Sequence, residues 1–358
     1  MIELEHNSLR FSFPEVHRYA EFSIDFRRTL RIPDDGKFYE LPPGFKSFPL
    51  FHVDDFSKKV PPSWIEHGGV MLPMYQSEAL WINISSHSNE EITPEEQRSF
   101  SNDWAWEFSR YPFAIKVAVG KINALTGEPW IEPLQNEPQD YMVSTEQPWL
   151  DGYCVENGIV RQFVAMPLGS GYTAEEQLAG EAEHGGLQII VYPMKREAYE
   201  RLFPPTKNTF SIEDNCPYGE TCFSVGSSEM GLAPGGKMKQ EIYEDPFEID
   251  DWDMEHRSRC YVHIANSLMW RSITGKEPPT VPITARDYEE EGLPWFEYYN
   301  EKAKPLSGSK TLAGLKSVVQ MGIEKGDIPL PENETVSPTN IVKLRQGLRR
   351  NQIREGLF

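Results

Sequence analysis

The densest set of residues able to do chemistry is Glu181-Ala182-Glu183-His184-Gly185-Gly186. Carboxylates beside an imidazole can ligate a divalent metal or share general acid/base work. Glu181, Glu183 and His184 are therefore the candidate catalytic and metal-ligating residues. The H-E-x-x-H spacing that presents two imidazoles from one helical face is absent, so a solvated acidic turn is the favoured structural reading. The tetrapeptide Glu183-His184-Gly185-Gly186 has a second copy, Glu66-His67-Gly68-Gly69, 117 positions earlier in the numbering. A paired site is one explanation of the recurrence. Repeated use of a common turn composition is the preferred one.

Other chemistry-bearing patterns are incomplete. Gly231 to Lys237 fits the G-x-x-x-x-G-K part of a phosphate loop, but Met238 stands where the Mg²⁺-binding hydroxyl belongs and Pro234 removes a donor. Nucleotide binding is not expected there, and no cofactor is predicted beyond a divalent metal at Glu181, Glu183 and His184. Cys216 and Cys222 enclose five residues, outside zinc-knuckle spacing, and read as structural thiols. Glu241 to Glu255 holds eight carboxylates without Lys or Arg and lacks EF-hand spacing, which reads as a solvated acidic face. No G-x-S-x-G occurs, and the eight His (His6, His17, His52, His67, His87, His184, His256 and His263) are scattered. His263 alternates within a strand pattern and reads as a satisfied sheet histidine.

The elements that would position these residues are mostly strands. Phe22, Ile24 and Phe26 alternate with Ser23, Asp25 and Arg27, and strand patterns recur at 69–74, 79–85, 112–119, 158–168 and 187–193. Arg161, Gln162 and Gln188 interrupt the apolar runs and require partners or solvent. Thr173-Ala174-Glu175-Glu176 is a capping box that predicts a short helix over 174–178, ended by Gly180. Thr93-Pro94-Glu95-Glu96 opens another helix. Arg259 to Ile273 reads as one long central strand. Beyond it, 275–282 is a linker, 309–325 is a helix with Leu312, Leu315, Val318 and Val319 on one stripe, and a last helix starts at Ser337-Pro338. The expected fold is α+β. A β-rich body of mixed or antiparallel sheets and long loops occupies 1–275, with a second division near 130–140, and a linker and helical C-terminal segment occupy 276–358.

Three blocks, Phe26 to Asp35, Gly69 to Trp81 and Arg161 to Gly169, resemble a family of uncharacterised bacterial and fungal proteins over most of 17–300. That family has no established activity, so the resemblance implies no chemistry and no site.

Composition narrows the classes. The 358 residues are 39% hydrophobic and 12% aromatic, enough for a substantial core, and 26 Gly with 29 Pro favour many turns between short elements. A net charge of −20 repels phosphate backbones and anionic headgroups, so neither nucleic acid nor membrane is an expected partner. No apolar run reaches spanning length and the first residues carry no signal pattern, so a cytoplasmic chain with reduced thiols is the expectation. Lys343, Arg345, Arg349, Arg350 and Arg354 make the C-terminal helix basic against this background, as expected for docking on acidic protein surface, its own or another subunit's. With no catalytic set complete, the sequence reads as an acidic intracellular interaction or structural protein that self-associates or binds a protein partner through its C-terminal helices. The alternative is an enzyme with a metal-assisted or acid/base site at Glu181, Glu183 and His184.

Overall fold

Strand patterning dominates the folded chain, whose computed structural model describes residues 1–85, 111–203, 229–291, 294–300, 303–327 and 341–345. Among these residues sixteen strands join into one large sheet, nearly all of it antiparallel. Its main path runs Ile2–Glu5, Ser8–Ser12, Glu21–Thr29, Ala79–Ser85, Ile159–Pro167, Glu229–Lys239, Ser258–Ala265, Leu187–Pro193, Phe113–Val119, Met142–Val143. The β-rich body is thus as expected.

The two ends of the path obey different rules. In Glu21–Thr29, Phe22, Ile24 and Phe26 are buried while Ser23 and Arg27 face outward, the alternation of a sheet with one wet face. Every residue of Phe113–Val119 and Leu187–Pro193 is buried, so that part of the sheet is covered on both faces, and its strands are apolar except at Lys116 and Gln188. Lys116 inside it is compensated by Asp140 and by the carbonyl of Pro133. Arg161 and Gln162 receive partners in the same way: Arg161 donates to Gly235 O at 3.0 Å, and Gln162 accepts from Ile32 N–H and donates to Leu30 O.

Three expected elements are corrected. The long strand over 259–273 is two elements, the strand Ser258–Ala265 and the helix Ser267–Thr274. Asn266 divides them, because its side chain accepts the Met269 N–H as a helix N-cap, and Met269, Trp270 and Ile273 then bury one face. The helix over 309–325 is two short helices, Lys310–Ala313 and Val318–Lys325, since Ser317 starts a new capping box with Gln320. The C-terminal segment is not the expected helix where it is described. Ile341–Arg345 is a strand paired parallel to Trp295–Tyr299, and Lys343 ion-pairs with Glu297 at 2.7 Å. Ile341 and Val342 are β-branched and fit a pleat once an edge is offered. The helix start at Thr93, the Cys216 and Cys222 pair, and Arg349, Arg350 and Arg354 lie outside the described residues.

Candidate functional site

The strand Ser258–Ala265 is where the two Glu-His-Gly-Gly turns meet. Val70, just after the first, pairs parallel with Val262, and Leu187, just after the second, pairs antiparallel with the same residue. Both turns need their glycines. Gly68, Gly69, Gly185 and Gly186 have φ of 62, 86, 59 and 54°, a region other L-residues enter at a cost. A Cβ on Gly69 would lie 2.1 Å from Tyr261 O, and one on Gly186 2.5 Å from Val262 O. Each turn thus crosses the backbone of one strand at contact distance, from opposite edges. The result places the His67 and His184 rings 6.5 Å apart, inclined at 64°.

A buried carboxylate holds the second turn. Glu175, only 3% exposed on the helix Ala174–Ala179, accepts the N–H groups of Glu183 (3.0 Å), His184 (2.8 Å) and Gly185 (2.8 Å). Gly120 makes room for it, since a Cβ there would lie 2.3 Å from its Oε2. From the other side the Tyr261 hydroxyl bonds His184 O at 2.6 Å and Gly185 O at 3.2 Å, and Gln188 Nε2 donates to Gly185 O. Gln188 is therefore the polar interruption that ties strand to turn.

Beneath the two imidazoles lies an aromatic base. His67 stacks on Tyr261 at 4.6 Å, Tyr261 on His263 at 4.3 Å, and His263 on Trp64 at 4.4 Å. The Nε2–H of His263 donates to Gly68 O at 3.0 Å, which fixes the tautomer because a carbonyl can only accept. The satisfied sheet histidine expected at position 263 is what the geometry contains. Burial pulls its imidazole down to about 3. Burial, with Lys121 nearby, also lowers His184. His263 is accordingly neutral across the physiological range.

Of the three residues singled out by sequence, two touch. Glu183 Oε2 lies 3.5 Å from His184 Nε2, whereas no hydrogen bond or ion pair joins Glu181 to either. Among the described residues no three His, Cys, Asp or Glu side chains are grouped to hold a metal ion, and these three form no such group. Glu175, Tyr261 and Trp64 carried no signal of their own. Glu175 looks like any first-turn acid until the turn it binds folds back onto it. The recurrence of the tetrapeptide was the usable clue.

Gly231 to Lys237 lies within the strand Glu229–Lys239, where its backbone pairs with Ile159–Pro167, so no phosphate loop exists there. The acidic stretch is more engaged than a plain solvated face. Asp245 accepts from Tyr141 Oη, Trp252 Nε1 and Phe247 N, and Asp251 ion-pairs with Arg201. Cys154 and Cys260 are free and buried. No helix among the described residues is long and apolar enough to cross a membrane. Neither a protein-family model nor a curated protein nor a solved structure matches this chain.

Proposed function

We propose that the protein is a non-catalytic interaction protein whose recognition surface is the face bearing His67 and His184, and that its partner is a protein segment rich in Lys and Arg. The supporting observation is that the polar atoms beneath this face are already engaged in holding it. The Glu175 carboxylate, the Tyr261 hydroxyl and His263 Nε2 all bind turn backbone, and Trp64 Nε1 reaches Glu229 at 3.4 Å. What remains outward is a pair of stiff rings, with exposed Glu66, Glu181 and Glu183 around them. Rigid rings lose little conformational freedom on contact, and a carboxylate rim on a chain of charge −20 attracts cations, which also stack on aromatic faces.

The chain's own basic C-terminus, presented by a second copy, has this chemistry. A peptide of residues 341–358 titrated into the full-length protein should bind in a salt-dependent way, and Glu181→Gln, Glu183→Gln and His184→Ala together should weaken it about tenfold. Binding that ignores these substitutions, or no binding, refutes the reading.

A general-base site at Glu183 and His184 is the second reading, supported by their 3.5 Å contact and the lowered imidazole. It predicts ester hydrolysis that His184→Ala abolishes, and a turnover equal in both proteins would sink it.

A further inference from the structure

At the far end of the sheet, the outward face of Ile2–Glu5, Ser8–Ser12, Glu21–Thr29 and Ala79–Ser85 carries a groove of about 260 Å³. Glu5, Arg10, Glu21, Asp25 and Arg27 line it together with Ser8, Ser23, Ser47 and Ser85. Cross-strand pairing sets the charges side by side: Ser8 opposite Asp25, Arg10 opposite Ser23, and Asp25 opposite Asn83. Their positions are held before any ligand arrives. Asp25 is buried, and its carboxylate accepts from Ser47 Oγ (2.8 Å), Asn83 Nδ2 (2.8 Å) and Arg27 Nη2 (3.3 Å). Arg10 is clamped between Glu5, at 3.1 Å, and Glu21.

Charge decides what such a groove accepts. An anion would face three carboxylates on a chain of net charge −20. A cation, although that field attracts it, would find all three carboxylates already paired to Arg10 or Arg27 and would have to displace a guanidinium to reach one. A neutral molecule meets neither barrier. A hydroxyl donates once and accepts twice, so adjacent hydroxyls match a carboxylate beside a guanidinium without breaking the pair. The size suits one small unit, since sites for drug-sized ligands start at about 300 Å³. Trp81, outside the lining itself, stands opposite Arg27 in the pairing and packs edge-on to Trp149 at 6.1 Å. We infer that this groove binds a neutral polyhydroxylated small molecule of monosaccharide size.

The test titrates the full-length protein with glucose, galactose, mannose, ribose and inositol, with glucosamine and glucuronate as charged counterparts, by calorimetry and ligand-observed NMR. At least one neutral probe should bind saturably in the millimolar range and change less than about twofold between about 0.05 and 0.5 M salt, because screening acts only on charges. Arg10→Gln should weaken that probe about tenfold. Ser23→Phe, which fills the groove from the position opposite Arg10 and removes no charged group, should abolish binding even if Arg10→Gln fails to fold. Binding confined to glucosamine or to glucuronate overturns the inference. So does no neutral binding up to about 50 mM, which leaves only a solvated face of ion pairs, and so does undiminished binding to folded Ser23→Phe.

Discussion

Replacing Glu175 by Gln tests whether one carboxylate organises the candidate site. In the native protein Oε1 accepts two backbone N–H groups, from Glu183 and His184, and Oε2 accepts the third, from Gly185. The amide of Gln can offer its single oxygen to two of them, but its NH₂ then points at a donor. One buried N–H loses its acceptor at a cost of about 1–3 kcal/mol. The other two bonds lose charge assistance and fall to about half their strength. Burial of the side chain at 3% exposure leaves little water to compensate. A total destabilisation of about 2–4 kcal/mol follows. Urea unfolding should show it as a lower midpoint at unchanged slope. Amide exchange should quicken at Glu183, His184 and Gly185 before it does elsewhere. A variant within about 0.5 kcal/mol of the parent, with those three amides still protected, would refute the view that Glu175 holds the turn.

Three further outcomes are expected. Asp151 is fully buried against Gln240, and burial pushes its carboxyl up to about 8. A folded value above the unfolded one means stability is whole below about pH 4 and is lost as pH rises toward 8, so Asp151→Asn should flatten that loss, of order 5 kcal/mol, in unfolding curves taken between those limits. His263, held down to about 3, should keep its Nε2–H tautomer at pH 5 in nitrogen-15 spectra, and because the unfolded chain protonates first, it contributes a stability loss as pH falls from about 6.5 toward 3. A charged His263 at pH 5 would contradict its packing. Gly69→Ala and Gly186→Ala should each cost more than about 3 kcal/mol by calorimetry, whereas Gly36→Ala, at φ +81 with nothing within 4 Å, should cost about 1–2 kcal/mol; equal losses would remove the close-approach argument.

Much of the local structure is written in short-range patterns. Phe22, Ile24 and Phe26 alternate because one face of Glu21–Thr29 is buried, and Thr173 with Glu176 caps the helix as that box requires. Gly180 ends the same helix in the left-handed region. These features need only neighbours a few residues away, so sequence alone determines them. Patterns compatible with two periods failed. Ile341 to Arg345 satisfies a helix stripe and a pleat equally, and the strand Trp295–Tyr299 offered as partner decided between them. The run from Arg259 to Ile273 has apolar residues along its whole length that suit one long strand, and the Asn266 cap divided it.

The site shows the sharper division. Sequence alone supplied Glu183 beside His184 and a repeated tetrapeptide, together with the acidity that argues against phosphate-bearing partners. It could not say that the two copies face each other, because that depends on both following strands choosing Val262 as their register. Nor could it mark Glu175, whose role exists only when three N–H groups of a turn eight to ten residues on close around it. Long-range strand pairing brings such groups together, and pairing is settled by the burial of whole faces rather than by any one residue's type.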